Sequence, residues 1–454
     1  MFRVPTLIHL PKSIWRENNQ ELTLCHDSDI DERTALLPSK TEKTESNYTR
    51  SKSLGSVSSL PSPVTNDTSL GYPNTAHISL GKDVNYLWHH TRIVRQELSV
   101  IIRFWIPLLV SFLLGISNRV VDVWFLGKVG PKAMAIVSLG SLFTMVTGLS
   151  IGFGVLTAVD TLVAQAYTGA NNPRVAGVIL QRGLVIMYLF GLGVTIVWLF
   201  SDKILLSMGQ SPELVDMAHQ YIVITIPNAF LTFTMVAIRK FLQGLGEMKI
   251  TMYLVFVLFP VNLASNYFFL CYLKWDYIGA AYHHMFVSTF LVLFYILLVF
   301  SISDRIKKFL PGPTMQAFHN WGEFLKLGIP GMLSVSTDWA FEVCAIVAGV
   351  FGQTSLAAQS VLVSCNTLFL MIPSALTTAL IVRLGHHLGA NEPAKAKICI
   401  IVVGCLGSIL VVINAAILFT CRSKIAHTFS NDKDVANAIE ELMSIGSLCH
   451  LTMV

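Results

Sequence analysis

Residues 169–176 read GANNPRVA and residues 389–396 read GANEPAKA, an offset of 220 residues (389 − 169). The same offset lays SPELVDMA (211–218) on NDKDVANA (431–438), and one of 223 lays IPLLV (106–110) on IPGML (329–333). Each GAN copy is a hydrophilic loop between long apolar stretches. A chain that repeats at this distance, with several bilayer-length stretches per copy, reads as two homologous helical lobes with a site between them. At the offset of 220, Val454 pairs with Thr234, inside the fourth apolar segment of the first half. Halves of equal length would extend roughly 70 residues further, so the second lobe is expected to be cut short in its fourth helix.

Composition agrees with a membrane protein. Hydrophobic residues make up 53% of the chain and charged residues 13%, against about 25% charged in soluble domains. The net charge of +5 is spread over loops and gives no nucleic-acid signal. The eight cysteines are scattered, mostly in apolar segments and without a C-x-x-C spacing, so they read as small buried residues.

Residues 1–95 are polar, rich in Ser, Thr and Asn, and without a sustained period. Such a segment buries too little apolar surface to offset its ordering entropy and is expected to be a disordered cytoplasmic tail. Within it, ERTALLP (32–38) places Glu32 three spacers ahead of Leu36 and Leu37. This resembles the acidic dileucine signal read by adaptor complexes on the way to vacuoles and lysosomes. Ten apolar stretches of bilayer-spanning length follow, near 100–126, 133–158, 176–200, 219–241, 250–272, 278–302, 324–350, 355–383, 398–420 and 436–454. They divide into a six-helix lobe, 96–304, and a second lobe, 305–454. Lys and Arg are mildly enriched in loops after even-numbered stretches, which places the amino terminus and the 305–322 connection on the cytoplasmic side.

Polar residues inside a span are expensive and should face a partner or a cavity. In SNRVVDVWFLG of the first stretch, Arg119 and Asp122 share a helical face, either neutralising each other or serving a site. Asn262 and Asn266 in the fifth, four apart after Pro260, share a face suited to interhelical hydrogen bonds or a cavity wall. The seventh carries STDWAFE (336–342), with Asp338 and Glu342 four apart beside Trp339 and Phe341. Two carboxylates this close in a low dielectric do not both stay ionised. A carboxylate able to hold a proton or an organic cation, beside aromatic faces, can serve as an exchange site. The His pairs at 89–90, 283–284 and 386–387 point to different helix faces and are not expected to form a metal site. Asp160 and Gln165 read as residues that fix loop geometry. No nucleophile–base set or phosphate loop appears, which argues against an enzyme.

Residues 96–454 resemble the multidrug and toxic compound extrusion (MATE) family of antiporters. The likeness rests on WIPLLV…VVDVWFLGKVG, LTAVDTLVAQAYTGANNP, IPNAFLTFTMVAIRKFLQGLGEMK, KLGIPGML…DWAFE, AAQSV and VRLGHHLGANEPAKA taken together. The polar tail with its dileucine-like signal looks fungal. The resemblance implies an all-helical membrane protein of two six-helix lobes around a central cavity. It implies export of organic cations and amphipathic compounds in exchange for protons or sodium ions, with no other cofactor. By position, Glu342 matches the family's seventh-helix acid. The spacing of four to Asp338 and the single tryptophan depart from the usual pattern of two acids five apart around two tryptophans. Asp122 matches a first-helix acid of bacterial and archaeal members, and Asn262 and Asn266 match an N-x-x-x-D pattern whose Asp is Asn here. The tenth-helix acid of many eukaryotic members has no counterpart in IGSLCHLTMV.

The expected function is therefore a proton-coupled antiporter, sited in the vacuolar membrane or alternatively the plasma membrane or endoplasmic reticulum. Its partners are a small organic cation or amphipathic substrate, membrane lipids and an adaptor complex at the dileucine-like signal. Rival readings are a flippase for lipid-linked or polyprenyl substrates, a non-transporting sensor or membrane enzyme, and an inactive truncated relic.

Overall fold

A computed structural model describes residues 80–301, 304–350, 353–429 and 433–450, and every regular element among them is helical. Apolar runs of this length cannot leave backbone groups unpaired in lipid, and the helix satisfies them within one segment. The long helices in chain order are α1 (Leu80–Val129), α2 (Pro131–Gly169), α3 (Arg174–Leu199), α4 (Pro212–Gly244) and α5 (Met248–Tyr272). They continue with α6 (Asp276–Ser301), α7 (Trp321–Val350), α8 (Gln353–Gly389), α9 (Pro393–Phe429) and α10 (Lys433–His450). One helix thus stands at each expected apolar stretch. Among the described residues, eight helices are long and apolar enough to cross a membrane. The shortfall from ten falls on α7 and α10. The mid-helix side chains of α7 lie outside the described set, and α10 packs Glu440 and Glu441 into eighteen residues.

Two boundaries differ from the composition-based reading. The first helix begins at Leu80 rather than after residue 95, because LGKDVNYLWHHTRIVRQEL continues into α1 without a breaker. Residues 1–79, with Glu32, Leu36 and Leu37, lie outside the described residues. α2 and α5 each contain a π turn, Met145–Leu149 and Tyr267–Tyr272, an insertion that re-aims the side chains on either side of it.

Pro131, Pro212 and Pro393 open α2, α4 and α9, where a missing N–H costs nothing. Prolines also interrupt α1 at Pro107 and α7 at Pro330, related places in the two halves. Ser111 donates to the Pro107 carbonyl at 2.7 Å, the back-bond of a helical serine to the carbonyl four residues earlier.

The two halves are joined by exchanged packing: α1 lies on α8, α7 lies on α2, and α2 lies on α8 between them. With lipid on all sides there is little hydrophobic drive for this association, so close packing through small residues must supply it. At one end of the interface, Gly154 of α2 meets the Gly331–Met332 backbone of α7. At the other, Gly169 and Gly389 meet at the ends of α2 and α8, where a Cβ on Gly169 would lie 2.8 Å from the Gly389 carbonyl oxygen. The largest buried side chains, Trp198, Phe233, Phe241 and Phe324, fill the first half, Phe324 being contributed by α7.

Candidate functional site

Asp122 leaves α1 toward α5 and α6. Its Oδ1 accepts from Asn262 Nδ2 at 2.9 Å and from Asn266 Nδ2 at 2.7 Å, and lies 3.3 Å from His283 Nε2. The spacing of four in α5 puts both amides on one face, and the short connection from α5 to α6 sets His283 opposite them. Asn262, Asn266 and His283 are each at most 2% exposed. Asn266 Nδ2 also donates to the Asn262 carbonyl at 3.1 Å and lies 3.1 Å from His283 Nε2. On the other side of the ring, His283 Nδ1 and Ser265 Oγ share a hydrogen bond of 2.9 Å whose direction follows the imidazole tautomer. One turn before Asp122, the Asn118 backbone carbonyl accepts from Asn262 at 3.4 Å, while the buried Asn118 Oδ1 has no partner among the described residues. The sequence-derived residues Asp122, Asn262 and Asn266 therefore meet in one polar core.

The rest of that core was not legible. Reading the His283–His284 pair as divergent overlooked Asp122, which lies close enough to both rings. Neighbours on a helix diverge by about 100°, but long imidazoles can still flank one carboxylate. Ligand atoms of Asp122, His283 and His284 all lie within 4.8 Å of one another, a grouping that the pairwise reading of the histidines did not foresee. A usable signal existed, since two imidazoles inside an apolar stretch need a polar partner. Arg119 does not neutralise Asp122. It lines a cavity of about 440 Å³ together with Ser141, Tyr221, Thr225, Asn228 and His284. Among the described residues, no acid lies within ion-pair distance of Arg119. The cavity thus abuts the polar core through His284.

The second sequence-derived cluster, Asp338, Trp339, Phe341 and Glu342, falls in α7, and its side chains lie outside the described set.

A third group sits on the side of the GAN loops. Arg383 of α8 grips Glu97 of α1 through Nε at 2.8 Å and Nη2 at 2.7 Å. His387 Nε2–H donates to the same carboxylate at 3.1 Å, and its Nδ1 lies 3.4 Å from Glu392 Oε2. Glu392, in the loop after α8, also accepts from Lys395 at 2.7 Å. That Lys395 hydrogen bond, with a further contribution from His387, holds the Glu392 carboxyl below the usual carboxylate range. His386 Nε2–H donates to the Gly244 carbonyl at 2.8 Å, and Thr168 Oγ1 donates to the His386 carbonyl at 2.6 Å, both across the halves. Trp105 Nε1 donates to the Ile372 carbonyl at 3.1 Å, again from one half to the other. Asp160 pairs with Lys240 of α4, an ion pair between two helices of the first half. Glu97, missed in the sequence, pairs with both Arg383 and His387 across the boundary between the halves.

Comparison with known proteins agrees with these features. The MatE family model matches residues 107–268 and 330–454, more than half of the chain. Multidrug and toxin extrusion protein 1 of Xenopus tropicalis is 29% identical over 360 residues, covering 79% of this chain and 62% of that protein. An uncharacterized transporter of Schizosaccharomyces pombe is 29% identical over 364 residues, covering 78% of this chain and 66% of that protein. The chain thus spans less than two thirds of the length of these relatives. The crystal structure of the eukaryotic MATE transporter AtDTX14 superposes with a TM-score of 0.73 at 21% identity, over 79% of this chain and 80% of that one. That likeness concerns the fold. By the match over both halves, the chain belongs to the MATE family, whose members are membrane transporters and not enzymes.

Proposed function

We propose that this chain works as a secondary antiporter, moving small organic cations or amphipathic compounds in exchange for protons, with Na+ as the other coupling ion its acids could accept. The observation that carries the reading is the half-buried Asp122 carboxylate, held by two amides and an imidazole with no Lys or Arg within ion-pair distance among the described residues. An ionised acceptor makes hydrogen bonds roughly twice as strong as a neutral one. Protonating Asp122 therefore loosens its hold on α5 and α6, and the cavity shared by Arg119 of α1 and His284 of α6 changes shape. A substrate that binds one shape better than the other is thereby linked to the proton. Glu342 plays the corresponding part in the second lobe, and Trp339 and Phe341 offer aromatic faces to a cationic substrate.

The test is uptake of fluorescent organic cations into proteoliposomes under an imposed pH gradient. Asp122→Asn and Glu342→Gln each keep shape and remove a titrating oxygen, and each should drop exchange close to background. Full pH-driven exchange in both variants would remove the basis of the proposal. A flippase for lipid-linked phosphates would want several basic residues around the cavity, and among its described lining residues there is one, Arg119. The vacuolar membrane is the proposed location, on the strength of Glu32, Leu36 and Leu37. Leu36→Ala with Leu37→Ala should then send a tagged chain to the cell surface, and unchanged localisation would discard the signal.

A further inference from the structure

In the polar core of the first half, metal-ligating side chains converge. Asp122 Oδ1 and His283 Nε2 stand 3.3 Å apart, and the Asn266 amide nitrogen lies 2.7 Å from the first and 3.1 Å from the second. His284 brings a second imidazole, so that three ligand atoms gather within 4.8 Å. Asn118 adds an amide oxygen that is buried and unpartnered, from a residue 8% exposed and four positions from Asp122, hence on the same face of α1. The donors facing Asp122 are the neutral amides of Asn262 and Asn266, and a metal cation is a stronger electrophile than either.

We propose that Asp122, His283 and His284 form a binding site for a divalent d-block cation of the zinc or cobalt type, entered from the cavity that His284 lines. The donor set decides the chemistry. Two imidazole nitrogens and one carboxylate suit borderline metals, whereas Mg2+ and Ca2+ prefer all-oxygen shells. The outer contacts are those of a ligand histidine. With a metal on Nε2, Nδ1 carries the ring hydrogen, and Ser265 Oγ, 2.9 Å away, is placed to accept it. A bound metal displaces the Asn266 amide from Asp122, and that amide keeps the Asn262 carbonyl as acceptor. Asn118 Oδ1 is the closest spare oxygen by position on α1, and the open side of the cavity leaves a coordination place for water. The site stands apart from the antiport reading, because occupancy is measured without transport.

The experiment is Co2+ titration of the purified full chain in detergent, followed by visible absorption. A low-coordinate Co2+ centre gives strong d–d bands, and these should appear at one equivalent and be erased by Zn2+. Ser265→Ala, which touches no ligand atom, should weaken Co2+ binding about 10–100-fold through loss of the outer hydrogen bond. The double variant His283→Gln, His284→Gln should abolish the bands, while His319→Gln, on the surface between α6 and α7, should leave them unchanged. X-ray absorption of the Zn2+-loaded wild type covers the case in which a variant does not fold, and should show two imidazole scatterers. Absence of imidazole scattering, or d–d bands that survive the double His variant, would overturn the assignment.

Discussion

Arg383 and Glu97 lie 286 residues apart in the chain and are joined by two parallel hydrogen bonds of 2.8 and 2.7 Å across the boundary between halves. The planar guanidinium fits the carboxylate in this bidentate mode, and an ammonium in its place could not. Glu97 is 3% exposed, so little water stands ready to replace Arg383. Opening the molecule on this side requires the pair to part.

Removing one partner should therefore cost more than removing both. Glu97→Ala leaves Arg383 facing a vacated site and should destabilise the chain by about 3–5 kcal/mol, the range for a broken buried pair. Glu97→Ala with Arg383→Ala should fall well short of the sum of the single changes. Thermal unfolding of the four proteins in detergent measures the cycle, and strict additivity would show that the pair contributes nothing.

Steric closure at the repeat can be tested separately. Ala in place of Gly389 puts a methyl group against the Gln165 carbonyl and Thr168 Oγ1. Overpacking of this kind costs about 1–3 kcal/mol. The melting temperature of Gly389→Ala should fall, whereas Gly404→Ala, with nothing within 4 Å of the added carbon, should match or exceed the wild type. Equal melting of both variants would mean that the halves separate easily at this point.

Orientation follows from the Lys and Arg bias. In a background free of exposed cysteines, Met315→Cys should react with an impermeant thiol reagent from the cytoplasm. Gln210→Cys, in the exposed loop between α3 and α4, should react from the opposite side. Labelling of both from one side would contradict the lobe topology.

Acid should weaken the loop after α8. The Glu392 carboxyl is held below its ordinary range by Lys395 and then His387. Its contribution is fully present above the unfolded-state value and disappears as pH falls through the lower folded-state value. Glu392→Gln should therefore reduce thermal stability slightly at neutral pH and not at all in strong acid. A difference that persists unchanged in acid would assign the effect to packing instead of charge. Because the Glu392 side chain is 40% exposed, the neutral-pH difference should also shrink with added salt.

The helices were readable because an apolar run in lipid has only one way to satisfy its backbone, and the two halves were readable because the GAN motif occurs twice. Asp122, Asn262 and Asn266 could be picked out since each is a polar group in an apolar stretch and the asparagines share a face. His283 escaped for a different reason. Its partner is fixed by the register of α6 against α5 and α1, and spacing within one helix carries no information about register between helices. Glu97 sits at the polar edge of α1, where a charged residue looks ordinary until α8 closes over it. The start of α1 was misplaced because composition marks where lipid begins and says little about where a helix does.

Gly169 and Gly389 hold equivalent places in the two halves, and they touch. In any two-fold arrangement a residue meets its own equivalent only on the axis itself. Their contact therefore places the two copies of the repeat side by side, so that the same sequence feature lies on both faces of the boundary. A bulkier residue at either place acts on both halves together, since what it meets lies in the other half: Gly389 for position 169, Gln165 and Thr168 for position 389. The repetition by which the chain is first read is thus also the place where its halves meet.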